Sequence, residues 1–131
     1  MSNVLVDTSV WSLALRSGGR PSLEVDKLRK AIERGRVVLL GIVVQEILQG
    51  FRHDRDVRRV AKQLEAFPLL QLSRDDNVAA AALHRACARR GIAAATVDCH
   101  IASAAIRHRC TLLTADEDFE HIARVAPLRL E

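Results

Sequence analysis

Short runs of hydrophobic residues alternate along this chain with longer segments in which hydrophobic residues recur at every third or fourth position. Uninterrupted runs of about four to eight hydrophobic residues are typical of strands buried on both faces, and the longer spacing is typical of amphipathic helices. Strands joined by helices favour a mostly parallel sheet. The pattern therefore predicts an α/β fold, with strands at residues 3–6, 37–40, 69–72 and 111–114 and an edge strand at 128–130.

The segments between the predicted strands carry signals for helix ends. Pro21 and Ser22 suit a helix start, Gly35 and Gly91 suit helix ends, and Pro68 interrupts the helical pattern. The apolar stripe of the helix that Gly91 ends consists of Ala79, Ala82, Leu83, Ala86 and Cys87. The other helices are expected at residues 9–16, 22–34, 43–51, 55–65, from 97 onward and at 116–124, with a loop at 16–20.

Length and composition limit the class of protein. The 131 residues suffice for one well-packed domain, and 49% hydrophobic and 27% charged residues make a globular composition. No apolar run approaches the roughly 20 residues of a membrane span, and the first residues lack the basic start of a secretory signal. We therefore expect a single domain over residues 1–131, located in the cytoplasm and not in a membrane.

The net charge favours an acidic partner. Lys and Arg outnumber Asp and Glu by 20 to 16, which gives a formal charge of +4, and the basic residues are spread along the predicted helices. Nucleic acid is the first candidate partner. The three cysteines form no CxxC pair and the five histidines follow no zinc-type spacing with them, so the sequence predicts neither a disulfide framework nor a zinc site.

Four acidic residues stand at positions where a carboxylate is informative. Asp7 directly follows the first strand and Asp116 follows the strand at 111–114, so both are expected at the carboxyl edge of the sheet, where open α/β sheets bind ligands. Asp98 and Glu46 interrupt otherwise apolar helix faces. Each acid taken alone could have a purely structural role, because a negative charge in the first turn of a helix interacts favourably with the helix dipole. Residues 114–117 also fit a capping box.

Several carboxylates at one sheet edge repel each other unless a cation neutralises them. Mg²⁺ and Mn²⁺ bind carboxylate oxygens, activate water and stabilise the charge that develops on a phosphodiester. A nuclease of this kind needs no catalytic histidine, cysteine or serine. The acids therefore predict metal-dependent phosphodiester hydrolysis, in which a carboxylate assists the removal of a proton from water.

Four segments of the sequence together form a recognisable set, namely Val4–Trp11, Val44–Gly50, Val97–Ala102 and Leu113–Phe119. In their content, their order and their spread over nearly the whole chain, they resemble the PIN-domain toxins called VapC. The resemblance implies a three-layer α/β/α fold with a mostly parallel central sheet. It also implies a magnesium-dependent endoribonuclease, with Mn²⁺ as a substitute, that cleaves structured RNA such as tRNA or rRNA. The implied assembly is a homodimer inhibited by a cognate VapB-like antitoxin.

The resemblance also implies roles for individual residues. The catalytic acids it implies are Asp7, Glu46, Asp98 and Asp116. The metal ligands it implies are Asp7, Asp98, Asp116 and Asp118, the last as an additional ligand. Thr8 and Ser9 match hydroxyl positions beside the first acid, where they can orient its carboxylate, although Ser9 suits a helix cap equally well.

Other functions are compatible with parts of this pattern. A phosphatase or receiver domain using Asp7 as a phosphoryl acceptor is disfavoured, because Asp7-Thr8-Ser9 lacks the second acid of a phosphatase and no lysine follows a late strand. A non-catalytic PIN-like module that binds nucleic acid or protein is the main alternative. Cleavage of RNA in Mg²⁺ but not in chelator separates this alternative from the enzyme.

Hydrophobic residues close to the first helix and to Glu46 predict a surface for a partner. Trp11, the only tryptophan, either packs in the core, stacks on a base or packs against a partner helix. Part of the set is expected to stay exposed and to be covered by an apolar helix of the antitoxin. The set consists of Trp11, Leu13, Leu15, Ile47, Leu48 and Phe51.

Overall fold

The computed structural model describes residues 1–16 and 21–131, and its centre is a parallel sheet. The three strands of this sheet are β1 (Val4–Val6), β2 (Val37–Val38) and β3 (Thr111–Leu113), in the spatial order β2-β1-β3. Every residue of β1 and β2 is buried. This explains why these strands read as continuous hydrophobic runs, since a parallel sheet covered on both faces has no solvent side.

Seven helices surround the sheet in the part of the chain that the structure describes. Ser22 accepts a hydrogen bond from the amide of Val25 (3.1 Å) and so caps the second helix, as predicted. Gly35 and Gly91 follow helix ends with φ of 65° and 74°, a conformation that favours glycine. None of these helices is long and apolar enough to cross a membrane. They are α1 (Thr8–Leu15), α2 (Leu23–Glu33), α3 (Gly41–Gln49), α4 (Asp54–Leu64), α5 (Arg74–Arg89), α6 (Thr96–Arg107) and α7 (Asp118–Ala123).

The strand order places helices on both faces of the sheet. The chain passes from β1 to β2 on one side of β1, and then crosses to β3 on the other side. Because such crossovers are right-handed, the helices of the two crossovers cover opposite faces. The predicted three-layer α/β/α fold is thus confirmed. The reversal of strand order also creates a crevice at the carboxyl ends of β1 and β3, where open sheets bind ligands.

Two of the predicted strands are wrong in extent. Residues 69–72 contribute one parallel bridge, Leu39 with Leu69, and residues 128–130 contribute one parallel bridge, Leu112 with Leu130. Hydrogen bonds hold each segment beside the sheet, including one from the Leu70 amide to the Leu39 carbonyl (2.8 Å), but neither segment continues into a ladder. Leu69 is also 47% exposed, so this edge is only half covered. The loop predicted at 16–20 lies, from residue 17 onward, outside the described residues.

The buried face of α5 differs from the predicted stripe. Ala82, which the pattern placed in the stripe, is exposed, whereas Ala80, Leu83 and Cys87 are buried. The buried side also includes an acid, Asp76, which is 3% exposed. A run of alanines carries little information about orientation, and the buried face is set instead by the larger residues and by the partners of this acid.

Asp76 joins the first turn of α5 to the end of α6. Its carboxylate accepts hydrogen bonds from the Ser73 amide (2.8 Å) and from Nε of Arg107 (3.0 Å), and Nε2 of His108 lies 3.0 Å from the same Oδ1 as Arg107. The Ser73 amide is the main cause that lowers the pKa of Asp76 to about 2, and Arg107 and His108 act in the same direction. The carboxylate therefore stabilises the packing of α5 against α6 only while it is ionised.

Asp76→Asn should reduce the free energy of unfolding by about 2 kcal/mol at pH 7. The folded-state pKa lies below the unfolded value of 3.8, so this stabilisation is complete above about pH 4 and disappears as the pH falls towards 2. The difference between wild type and variant should therefore shrink as the pH falls from about 4 towards 2 in urea titrations. Asp75→Asn is the matched control, since Asp75 is exposed in the same turn. An equal effect of the two substitutions would contradict the assignment.

Of the three roles predicted for Trp11, the structure supports packing in the core. The indole is 4% exposed, and its ring lies 5.4 Å from the ring of Phe67 with an interplanar angle of 55°. Trp11 is thus a core residue, and its indole NH has no acceptor among the described residues. Ile47 is also buried, whereas Leu13 is 40% exposed. The expectation that part of the hydrophobic set stays exposed holds for Leu13, with Leu15, Leu48 and Phe51 half-buried.

Cys87, Cys99 and Cys110 are free and buried. Burial raises the pKa of the Cys99 thiol to about 11, so this thiol is protonated and unreactive at neutral pH.

Candidate metal centre

The crevice between β1 and β3 contains Asp7. Its amide donates a hydrogen bond to the Leu113 carbonyl (2.9 Å), which continues the pairing of β1 with β3 by one residue. Asp7 then ends the strand and stands immediately before α1, and only 6% of the residue is exposed. The sheet therefore fixes the backbone of this acid at the edge where it was predicted.

Two hydroxyls fix the orientation of the Asp7 carboxylate. Ser9 Oγ and Thr114 Oγ1 donate hydrogen bonds to the same oxygen, Oδ2, at 2.8 and 2.9 Å. Ser9 thus orients the carboxylate, one of the two roles that the sequence left open. Both donors use Oδ2. Among the described residues no side-chain hydrogen bond reaches Oδ1 of Asp7, so this oxygen is available to a ligand.

The same two hydroxyls hold the loop after β3. Ser9 Oγ accepts a hydrogen bond from the Ala115 amide (2.9 Å), and Thr114 Oγ1 accepts one from the Asp116 amide (3.0 Å). The Asp118 amide in turn donates to Oδ1 of Asp116 (2.9 Å). Each hydroxyl therefore donates one hydrogen bond to Asp7 and accepts one from the backbone after β3. The two hydroxyls thus connect Asp7 to the segment that leads to Asp116 and Asp118.

Thr114 is the residue of this centre that sequence reasoning missed. The motif at 114–117 predicted a capping box, but α7 begins at Asp118 and its N-cap residue, Glu117, makes no side-chain capping bond. The predicted capping box is wrong because the Thr114 hydroxyl donates to Asp7 across the sheet. The signal that could have identified it is its position, directly after a buried strand that neighbours the Asp7 strand.

Three carboxylates converge beside this loop. One oxygen from each of Asp98, Asp116 and Asp118 can be chosen so that all lie within 4.8 Å of one another. Two ligands on opposite sides of one Mg²⁺ lie about 4 Å apart, so a small rotation of these side chains is enough to share one ion. The donors are all carboxylate oxygens, which suit a hard divalent cation and not a soft metal. Asp7 and Glu46 do not belong to this close group.

Asp98 comes from the first turn of α6, whereas Asp116 and Asp118 come from the chain after β3. Burial is the main cause that raises its pKa to about 6, and the negative charges of Asp116, Asp7, Asp118 and Glu46 raise it further. All five predicted carboxylates are therefore close enough to influence one group. Without a cation the charged form of Asp98 is disfavoured, which is the electrostatic condition expected of an acidic metal site.

Glu46 reaches the centre from α3. Thr8 Oγ1 donates a hydrogen bond to Glu46 Oε1 at 2.8 Å, and this contact joins the first turn of α1 to α3. The structure thus brings both predicted supporting hydroxyls into contact with acids, although with different ones. Thr8 orients Glu46, and Ser9 orients Asp7.

Comparison with known proteins agrees with this geometry. A family model for the PIN domain matches residues 4–125, a range that includes every acid and hydroxyl of the centre. The chain belongs to the PIN-domain family. This PIN domain is 33% identical to the ribonuclease VapC11 of Mycobacterium tuberculosis in an alignment that covers 96% of both chains. Its resemblance to the VapC-type members of the family is therefore confirmed.

Solved structures agree with the fold of this PIN domain. It superimposes on VapBC2 from Rickettsia felis, bound to a DNA fragment from its promoter, with a TM-score of 0.79, 19% identity and coverage of 98% of this chain and 96% of that one. A toxin–antitoxin complex from Klebsiella pneumoniae gives a TM-score of 0.71 at 22% identity, with 98% and 100% coverage. At this level of identity, the superpositions support the PIN-like fold and the order of its elements.

Proposed function

We propose that this PIN domain is a Mg²⁺-dependent endoribonuclease and the toxin of a VapBC pair, cleaving structured cellular RNA such as tRNA or rRNA. The observation that carries the proposal is the convergence of Asp98, Asp116 and Asp118 beside Asp7, at the crevice where the strand order reverses. The relative named as a ribonuclease, similar over 96% of its length, supports RNA as the substrate.

In this proposal the contacts of each acid determine its role. Asp98, Asp116 and Asp118 hold the cation, and Asp7 contributes the oxygen that Ser9 and Thr114 leave free. When bound, Mg²⁺ or Mn²⁺ supplies Lewis-acid stabilisation of the charge that develops on the phosphodiester. Glu46 lies outside the close group and has one oxygen engaged by Thr8, so its other oxygen is suited to accept the proton of the attacking water.

The experiment that tests this function is cleavage of tRNA and rRNA by the purified chain in Mg²⁺, in Mn²⁺ and in chelator. We expect cleavage in either ion and none in chelator. Mapping the 5′ ends of the products identifies the RNA and the cleaved sequence. A chain that binds RNA but does not cleave it in either metal is the non-catalytic module, and this result would reject the enzyme.

We further propose a homodimer whose toxin activity a VapB-like antitoxin blocks. Support for a partner surface comes from a narrow groove of about 80 Å³ between α1 and the end of α3, lined in part by Leu15, Ile47 and Phe51. A groove of this size can receive one apolar side chain from the face of a partner helix. Co-expression with the small protein encoded beside this chain should yield a complex without ribonuclease activity. A neighbour that neither binds nor inhibits would reject the toxin assignment and leave the nuclease in place.

Thr114→Val should lower kcat/KM by about 10- to 100-fold, because groups that orient metal ligands have effects of this size. Valine keeps the shape of threonine but removes the hydroxyl that contacts Asp7 and the Asp116 amide. The variant should also need more Mg²⁺ for half-maximal thermal stabilisation. Thr114→Ser retains the hydroxyl and should behave like wild type in both measurements. Equal activity of the valine and serine variants would show that the hydroxyl has no positioning role.

A further inference from the structure

A second cavity lies outside the acidic centre, between α5 and α6. Its volume is about 500 Å³, within the range of small-ligand sites. Ile42, Val97 and Ala80 form part of an apolar lining. The polar and basic residues that line it are Asn77, His84, Arg85, Thr96 and His100. The catalytic scheme above uses none of these residues.

From this cavity we propose a binding site for one unpaired nucleotide of the RNA substrate, an inference that rests on the proposed function. The electrostatics favour a nucleotide. Among the described residues that line the cavity there is no carboxylate, whereas Arg85 and two histidines lie on its walls. Arg85 is exposed and forms no ion pair with any residue in the described ranges, so its guanidinium is available to a phosphate or a base.

The side chains of the cavity match the chemistry that recognises unpaired bases. Sequence-selective proteins stack splayed-out bases on aromatic side chains, histidine included, or on arginine planes, and hydrogen-bond to the base edges. Trp11 and Phe119 are buried in the core and cannot reach RNA. His84, Arg85 and His100 supply the stacking surfaces, and the Asn77 amide offers both a donor and an acceptor to a base edge.

The cavity is also close to the acids along two helices. Ile42 lines the cavity and Glu46 reaches the acidic centre from the same helix, four residues or about 6 Å further along α3. On α6, Thr96 and Val97 line the cavity, and Asp98 follows directly on a different face of the helix. A nucleotide bound in the cavity would therefore be only a few positions along the RNA from the phosphate that lies at the acids. Recognition of this nucleotide would then determine which phosphodiester bond is cleaved.

Two adjacent alanines of α5 provide a matched test. Ala81 and Ala82 are both exposed, but only Ala81 lines the cavity. The Kd for a short fluorescein-labelled single-stranded RNA is measured by anisotropy in Mg²⁺, in an Asp7→Asn background that is expected to prevent cleavage. Ala81→Trp, which fills the cavity, should weaken binding roughly 5- to 100-fold, the range for loss of one stacked base. Ala82→Trp should bind like the parent.

A second pair of variants tests the charge without adding bulk. Arg85→Gln should weaken binding, whereas Arg89→Gln, an exposed arginine of the same helix outside the cavity, should have a smaller effect. This pair decides the question if the tryptophan variant does not fold. Equal Kd values within each pair would overturn the nucleotide site.

Other outcomes separate this site from its alternatives. If Ala81→Trp but not Ala82→Trp changes the molar mass in light scattering, the cavity belongs to an interface between two copies of the chain, and the nucleotide site is overturned. The nuclease proposal is tested independently, because the binding assay requires no cleavage. Wild type that cleaves RNA while both variant pairs bind alike rejects only the nucleotide site. Wild type that binds RNA through the cavity without cleaving it rejects only the nuclease.

Discussion

Asp98→Asn should reduce RNA cleavage by at least about 10²- to 10³-fold while the fold remains intact. The substitution keeps the shape of the side chain but removes the charge that α6 contributes to the three-carboxylate group, so the proposed metal site loses a ligand. Losses of this size are typical when a group that stabilises transition-state charge is removed. The measurement is kcat/KM on the mapped RNA at saturating Mg²⁺. Asp54→Asn, an exposed acid in the first turn of α4, is the control.

The same variant should be more stable than wild type when metal is absent. The pKa of Asp98 is raised to about 6 in the folded protein, above the unfolded value of 3.8, so ionisation of this group at pH 7 opposes folding. The stabilising contribution of the protonated carboxyl is present below about pH 4 and is lost as the pH rises through 6. Asn removes this penalty, so the variant should melt at a higher temperature in chelator at pH 7.

The gain in stability should diminish at pH 5, where wild-type Asp98 is itself largely protonated in the folded state. Thermal melts at the two pH values measure both effects. Lower activity together with lower stability at pH 7 would indicate damage to the fold and would contradict the metal-site assignment. Wild-type activity of the purified variant would remove Asp98 from the catalytic set.

The central sheet was predictable because its strands are buried on both faces. Val4–Val6 and Val37–Val38 are hydrophobic at every position, and no other local structure accounts for runs this short between helices. The segments at 69–72 and 128–130 each contain one polar residue, Gln71 and Arg129, and each forms a single bridge. Hydrophobicity indicates burial, whereas the length of a ladder depends on how the backbone of a distant segment aligns, which the local pattern does not contain.

The acids of the centre were predictable because strand ends and helix faces locate them without knowledge of distances. Asp7 and Asp116 follow buried strands, and the topology brings those strands together. The hydroxyl contacts depend on side-chain directions across the sheet, so Thr114 was not assigned. Its motif also suits a local capping box, and the tertiary contact with Asp7 replaces that local structure. The roles of these residues in catalysis, and the treatment of residues 1–131 as one domain, stay predictions.

The orientation of helices was predictable where large residues define a face and less so elsewhere. In α5 the alanines at 79–82 allow several faces, and Asp76, which the pattern alone would place in solvent, is buried and pairs with the exposed Arg107. Trp11 shows the opposite case. Core packing was one of its predicted roles, beside contact with a base or with a partner helix, and its contact with Phe67, 56 positions away, confirms the core role. Contacts between distant positions decided both cases.

Mg²⁺ should raise the melting temperature of the wild-type chain in proportion to the logarithm of its concentration once the concentration exceeds Kd. A ligand that binds only the folded state contributes RT ln(1 + [L]/Kd), about 1.4 kcal/mol at ten times Kd. For a domain of this size that corresponds to roughly 5 °C. Mn²⁺ should give the same response. NaCl at matched ionic strength is the control, because salt alone screens the repulsion between the carboxylates.

Variants of the β3 loop make this prediction specific to the proposed ligands. Asp118→Asn should weaken the response to Mg²⁺, since Asp118 belongs to the close group, and Asp98→Asn should nearly abolish it. Glu117→Gln is the matched control for Asp118, because Glu117 is an exposed neighbouring acid outside the group. If Glu117→Gln and Asp118→Asn reduce the Mg²⁺ response equally, the effect reflects the net charge of the loop, and Asp118 is not a ligand. If NaCl reproduces the whole shift, the carboxylates bind no specific cation, and the proposed metal centre is wrong.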